Sequence, residues 1–600
     1  MQKMPNSCAV LVVCCVVGLA TAAAEPWSPP TVQDVAAALD GLGFDDFIET
    51  SYRMHLLRFP EHVTWMGIAQ EYGIRNDALN DYSQTYTLNT FEIESLILDE
   101  LLGFDPAELT TEQRTTYEIC RWYWEDAVRG QAFFDTDHPI HFMTTRSLHG
   151  IAEFTLTGRH PLTCEEDIVD YLARLNGIGE QFDGIIEQLE RRESIGIIAP
   201  RLALEWAIGD IRTRMTAHST SHPLYEPLRV RAAGLDGLSA DTLAAYLMEA
   251  EGIVDDVVKP AYGRLYAAIM SALDDAPDAI SLSQYPGGDE AYAYLLRHHT
   301  QTDLTADDIH ALGLREVGRV QAEILEAATE LGFEDEVTVS AIFAEAAARS
   351  GTVTGEQAVA EADALIAKAT RIVLETGALS RLPDAGVIVV GGDQGGFYTP
   401  PAMDGSRPGA YHIATSRANA RFSQPSVAFH ETIPGHHVQV ALAQQLDLPL
   451  LRQDAVFTGF SEGWALYAER LMSELRGYED DPLGNLGRLK YELLRAVRLV
   501  VDTGIHDLGW SFEEAVTYIM ESAGDTRGTA EYRTLRYTVI PGQSTAYMVG
   551  LLELLDLRQK AQDALGELFT LATFHDILLA NGNVPLSLVE GFVDTWIDGG

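Results

Sequence analysis

The sequence predicts a mainly α protein with a small β-sheet set just ahead of a histidine-rich helix. Three observations carry this. From Thr31 to about Arg381, apolar residues recur at three- and four-residue intervals, the period of helices with one buried face. Helix starts are marked by capping boxes at Thr110…Gln113 and Thr163…Glu166, with an acidic variant at Thr305…Asp308. The rhythm then changes at Ala385, where short β-type runs interrupt the helical pattern.

Six hundred residues are enough for a large buried core. At 46% hydrophobic and 22% charged, the composition is globular and excludes an intrinsically disordered chain. Acids outnumber bases 89 to 41, a formal net charge of −48. A surface of that sign repels phosphate backbones and anionic bilayers, so neither nucleic acid nor stable membrane insertion is expected. Nothing in the pattern fixes an oligomeric state.

Residues 1–24 read as a secretory signal peptide. Lys3 is the only charge, Cys8 to Leu19 is apolar, and Ala20-Thr21-Ala22-Ala23-Ala24 offers a small-residue cleavage site. Export to a periplasmic or extracellular compartment follows from that reading. Val13, not a small residue, precedes Cys14, which favours plain cleavage over lipid attachment. In an exported protein Cys120 and Cys164 are free to pair, and the sequence leaves that open.

Residues 25–384 read as an N-terminal helical region. Leu101–Arg129, Ile168–Glu193 and Ala306–Leu331 are expected as long amphipathic helices, and Ala341–Thr376 as an Ala-rich helical stretch. The early aromatics Phe47, Tyr52, Tyr117, Trp122, Tyr123 and Trp124 read as core and inter-helix packing. Residues 385–600 carry the chemistry and read as continuous with the first region. Val387–Val390 and Tyr411–Ile413 are candidate strands. The Gly-rich loop between them fits neither a dinucleotide nor a phosphate-binding pattern. Gly405-Ser406-Arg407-Pro408-Gly409 is not a nucleophile elbow. Arg407 is placed either to receive a substrate carboxylate or to tie down its own loop.

Ser423 and Pro425 mark the start of a helix carrying Phe429-His430-Glu431-Thr432-Ile433-Pro434-Gly435-His436-His437. A second stretch follows, Gly459-Phe460-Ser461-Glu462-Gly463-Trp464. Together they have the composition of a split zinc site. A catalytic zinc takes three protein ligands, keeps one position for water and lowers that water's pKa to roughly 7. A carboxylate must take the proton and return it to the leaving group. Here two histidines and Glu462 would be the ligands, and Glu431 the base. Glu462 stands among Phe460, Trp464, Ala465 and Leu466, where a carboxylate needs a partner.

The spacing is not that of HExxH. His436 and His437 lie six and seven residues after His430. On an uninterrupted helix, His437 returns to within roughly 20° of His430 and His436 lies about 120° away. Pro434 forbids such a helix, since it has no N–H and its ring meets the His430 carbonyl, and Gly435 adds freedom. A break between them favours His436 as the second ligand, with His437 as the alternative.

Glu469, seven residues past Glu462, reads first as an exposed helical residue and second as a group orienting a ligand imidazole. Over Leu486–Leu508, Arg495, Arg498, Asp502 and His506 form one polar stripe, ordinarily a solvated face. His506, steadied by Asp502, is a candidate donor to a developing oxyanion. Ser511…Glu514 caps a further helix. Tyr547 is a second candidate donor or else a core aromatic, while Gln543 and Tyr411 are candidate substrate contacts.

His430-Glu431-Thr432-Ile433-Pro434-Gly435-His436-His437, Ser461–Leu471, Asp502–His506 and Pro541–Tyr547 together carry a family resemblance. They resemble a large, mostly bacterial family catalogued as a domain of unknown function, with the signature HExxPGHH…SEGWA…DTGxH…PGQxxxY. The resemblance runs from about residue 30 to the C-terminus and is sharpest over 397–550. That family is similar to zinc peptidases of the thimet-oligopeptidase, carboxypeptidase-Taq and angiotensin-converting-enzyme group. It implies a large two-lobed peptidase-like fold with a deep cleft, one Zn²⁺ per chain, and short peptides as substrate. It also implies an edge strand that holds the substrate main chain. In that family an acid often stands three residues before the Arg of an Arg-Tyr pair, where this chain has Arg533. A zinc hydrolase of a non-peptide amide or ester would share the site, and a non-catalytic exported binding protein would share the fold. The intact Glu431 argues against the last.

Overall fold

The computed structural model describes residues 27–143, 146–333 and 338–599, and the expected signal peptide lies outside the described residues. The fold is mainly α, as expected. Helix α1 (Thr111–Gly130) opens on the Thr110/Gln113 capping box. Helix α2 is Glu165–Ser194, and its cap is shifted by one residue from expectation. Cys164 holds the N-cap, and Asp167 reaches back to the Thr163 and Cys164 amides. Helix α3 is Gly288–Thr300, α4 is Ala306–Glu330 behind its Thr305/Asp308 box, and α5 is Gly355–Thr376.

Two expected helices are each divided. The Leu101–Arg129 stretch breaks because one helix ends at Leu101, and Gly103 and Pro106 separate it from α1. The Ala341–Thr376 stretch breaks at Gly351, whose φ of +70° cannot continue a helix.

The sheet comprises β1 (Val387–Gly392), β2 (Phe397–Thr399) and β3 (Gly409–Ala414). The central strand β3 runs parallel to β1 and antiparallel to β2, so Tyr411 pairs with Val389 on one side and Tyr398 on the other. Tyr411 and Ile413 pack against Ala358 and Ala362 of α5 and against Ala428. Ala428 belongs to α6 (Gln424–Glu431), so the sheet stands directly against the histidine-bearing helix.

Then follow α7 (His436–Gln445), α8 (Thr458–Glu474), α9 (Pro482–His506), α10 (Arg527–Val539) and α11 (Ala546–Leu565). Helix α9 runs through the centre, and α4 lies along it so closely that a methyl group at Gly313 would sit 2.7 Å from Leu499 Cβ. Helix α8 crosses α11 backbone to backbone: a Cβ on Gly550 would fall 2.1 Å from the Gly459 carbonyl oxygen and 2.7 Å from Gly463 Cα.

One core draws on residues from Val35 to Val593, so helices on both sides of residue 385 share it. A second core gathers residues from Leu79 to Ala276. Cys120 is buried, Cys164 is exposed, and both are free thiols. No helix among the described residues is long and apolar enough to cross a membrane.

Candidate metal centre

Helix α6 stops at Glu431 because its next turn cannot be built. Pro434 has no N–H for the His430 carbonyl. Gly435 lies over that carbonyl so closely that a Cβ would fall 1.9 Å from it. The Gly435 N–H donates to the Phe429 carbonyl at 3.0 Å, and the Trp464 indole donates to the Pro434 carbonyl at 2.9 Å. The chain reverses and α7 begins at His436. The rings of His430 and His436 thereby come to 4.8 Å between centroids, at 84°.

Glu462, near the start of α8, closes the group. Its Oε2 lies 3.4 Å from His430 Nε2 and 3.3 Å from His436 Nε2, and the three ligand atoms lie within 4.8 Å of one another. That oxygen is buried yet makes no hydrogen bond of acceptable geometry, a state that native interiors avoid. Zinc bound tetrahedrally at about 2.0–2.2 Å separates its ligand atoms by roughly 3.3–3.6 Å. The spacing at Glu462 and the donor set both fit such an ion.

The electrostatics agree. Burial opposes charge on Glu462, but the two imidazoles hold its carboxyl well below the usual range. Burial also opposes charge on His430, yet Glu462, Glu469 and Glu431 push it up to about 10. The group favours positive charge at this point, as a proton on His430 or a bound cation would supply.

Glu469 is 1% exposed rather than solvated. It accepts a hydrogen bond from His430 Nδ1 at 2.8 Å, lies 3.2 Å from Arg495 Nη2, and accepts another from the Ser426 hydroxyl. With Nδ1–H engaged, His430 presents Nε2 to Glu462. Ser461 Oγ lies 3.4 Å from His436 Nδ1. The Glu431 carboxylate has no hydrogen-bond partner among the described residues; burial pushes its pKa up, against the pull of the two histidines.

Tyr547 joins this group from α11. Its ring lies parallel to that of His430, 6.2 Å between centroids and 16° apart. Its hydroxyl lies 3.4 Å from Arg536 Nη2 and 3.5 Å from Gln543 Nε2. Burial and Glu462 raise the phenol's pKa, but Arg536 and Arg498 outweigh them and it settles below its ordinary value.

Five expected site residues, and Asp502 beside them, are placed otherwise. His437 turns to the sheet: Nδ1 accepts from the Tyr398 hydroxyl and Nε2 donates to the Ala385 carbonyl, both at 2.9 Å. Its ring nitrogens are thus unavailable to a metal shared with His430. His506 accepts from the Leu282 N–H at 3.1 Å and donates to the Tyr537 carbonyl at 3.0 Å, which leaves no N–H for an oxyanion. Asp502 does not hold His506 by a hydrogen bond; it binds Tyr292, the Gly542 N–H and Ser544, fixing the turn before Tyr547. Arg407 donates to the carbonyls of Pro400 and Trp65, tying down its loop. Gln543 accepts from Arg536 at 2.9 Å and positions Tyr547, while Tyr411 is 1% exposed within the sheet. Sequence reasoning did not single out Ser426 or Arg536. Ser426 stands one helical turn before His430, a spacing visible in the sequence, whereas Arg536 enters there only as the Arg of the Arg-Tyr pair three residues after Arg533, with no role attached.

A helical fold that closes two imidazoles and a carboxylate around one buried point defines a candidate single-ion metalloprotein. The chain belongs to the family described as "Bacterial protein of unknown function (DUF885)", whose profile matches residues 60–593. Among solved structures, a "putative lipoprotein" from Colwellia psychrerythraea is 26% identical with a TM-score of 0.88, over 96% of this chain and 100% of its own. A "putative lipoprotein of unknown function" from Shewanella oneidensis shares the fold at 18% identity and a TM-score of 0.69, over 92% of this chain and 99% of its own. A "putative oligoendopeptidase F" from Bacillus anthracis aligns at 11% identity over 85% of this chain and 96% of its own, and its TM-score of 0.28 carries no argument. No curated protein matches the chain.

Proposed function

We propose that this protein is an exported zinc-dependent hydrolase that cleaves amide bonds in short peptides. The observation that carries the reading is the convergence of His430 and His436 on Glu462 Oε2, buried and without a hydrogen bond, beside a Glu431 carboxylate that makes no hydrogen bond among the described residues. His430, His436 and Glu462 would hold the ion. Zinc, when bound, supplies Lewis acidity and lowers the pKa of water to about 7. Glu431 takes the proton of the attacking water and passes it to the leaving amine, a task its buried setting suits. The net change adds one water across the C–N bond and releases a carboxylate and an amine. Tyr547, fixed by Gln543 and Arg536, donates to the carbonyl oxygen as that oxygen gains charge. Glu469 keeps the His430 ring and tautomer in place. The amide bond as target rests on the motif resemblance to zinc peptidases. Export rests on residues 1–24 and on the lipoprotein titles of two structural relatives.

Elemental analysis of the purified protein is expected to give one zinc per chain, kept in Glu431→Gln and lost in His436→Ala and Glu462→Ala. Hydrolysis of a short-peptide library should fall roughly 10²–10⁴-fold in Glu431→Gln. A wild type that takes up no zinc from buffered zinc solution would overturn the reading. Zinc uptake with cleavage of esters but not peptides would move the substrate class.

A further inference from the structure

The polar stripe of α9, of a kind that ordinarily faces solvent, is buried: Arg495 and Arg498 are each 6% exposed. Arg495 has a carboxylate partner in Glu469. Arg498 has none among the described residues, and its Nε and Nη1 are buried without a hydrogen-bond partner. Its guanidinium carbon lies 4.5 Å from the centroid of the Tyr547 ring. Arg536 approaches the hydroxyl of the same phenol, and its Nε is also buried and unpartnered. It too lacks an ion pair among the described residues. Burial works against the charge on Arg498, while the Tyr537 and Tyr547 phenols and Glu462 support it. Glu462, however, already faces the two imidazoles. This chain carries 89 acids against 41 bases, yet among the described residues no acid pairs with either guanidinium. Arg498 is a buried cation without an anion, which is costly, Arg536 is half-buried, and a guanidinium's planar fork matches a carboxylate.

We infer that Arg498 and Arg536 receive a carboxylate of the substrate, so that the amide to be cleaved lies close to a free carboxyl terminus. The inference rests on the hydrolase reading and narrows it. The Tyr547 ring neighbours both Arg498, at 4.5 Å, and His430, at 6.2 Å, so the guanidinium and the imidazole are separated by no more than the sum of those two distances. At about 3.3–3.6 Å per extended residue, that gap holds roughly three residues at most. The product released from the carboxyl end is therefore a single amino acid or a very short peptide, and internal bonds of long chains are poor substrates.

The test uses N-acetylated tripeptides of mixed sequence, each as the free acid and as the matched carboxamide. Calorimetric titration into zinc-loaded Glu431→Gln should show the acids binding roughly 10- to 100-fold more tightly. Wild type should show a similar preference in kcat/KM. Arg498→Gln should bring the acids down to the level of the carboxamides, with zinc content and circular dichroism confirming that the variant is folded. Equal handling of acids and carboxamides by wild type overturns the inference and leaves the hydrolase reading standing, with no dependence on any variant. Preferential binding of acids by a wild type that cleaves neither form supports the inference and overturns the hydrolase reading. Binding of neither form overturns the inference.

Discussion

Glu469 is not among the three candidate ligands, yet it decides which nitrogen of His430 faces the other two. Its Oε1 holds Nδ1–H at 2.8 Å, while Arg495 and Ser426 hold Glu469 itself. Removing such an outer carboxylate typically weakens metal binding 10- to 100-fold. Glu469→Ala is expected to lower zinc affinity by that factor in a competition titration with a chelator, with the fold retained. Unchanged affinity would show that packing alone orients the ring. The grouping of His430, His436 and Glu462 was legible at this scale because they are donor types that suit a metal and Pro434-Gly435 rules out a continuous helix. The part assigned to His506 was not legible. Its partners are the backbone of Leu282 and Tyr537, distant in sequence and silent in it. Arg407 is the same case, since the Trp65 carbonyl it binds lies 342 residues away.

Among the elements, the α8–α11 crossing sets the site most directly, because one helix carries Glu462 and the other Tyr547. Gly550→Ala would drive a methyl group into the Gly459 carbonyl. Overpacking against backbone, which cannot rotate away, should cost about 3 kcal/mol or more, read from denaturant midpoints. Gly318→Ala in α4 is the matched control: nothing lies within 4 Å of the added carbon, and the change should gain up to about 1 kcal/mol from helix propensity. A small effect at Gly550 would mean that the helices can part. Helix existence was legible from apolar period and capping boxes. Helix ends were less so, because Pro106 and Gly351 act through backbone geometry that a hydrophobic pattern does not register.

For the whole molecule, His62 and Asp454 join positions 392 residues apart, with His62 Nε2 2.8 Å from the carboxylate. Burial pulls His62 down, but the Asp454 charge wins and its pKa rises above 6.5. Burial raises Asp454, but His62 and Tyr52 take it below 3.8. The Asp454 contribution is present above its unfolded value and is lost as pH falls through its folded one. The His62 contribution is present below pH 6.5 and is lost as pH rises through its folded value. The pair therefore stabilises most between about pH 4 and 6.5. His62→Gln should lower the midpoint of thermal unfolding more at pH 5.5 than at pH 9. The effect is modest, since the His62 side chain is 37% exposed. An equal loss at both pH values would remove the pair from the account.

The backbone crossing at Gly459, Gly463 and Gly550 has a consequence for motion. With no side chains between them, α8 and α11 have nothing to slide on, so Glu462 and Tyr547 keep a fixed separation as the molecule fluctuates. Breathing motions are then expected where packing is side chain on side chain, between the main core and the core of residues 79–276. Amide hydrogen exchange should accordingly be slowest in the crossing turns of α8 and α11 and faster at the facing surfaces of the two cores.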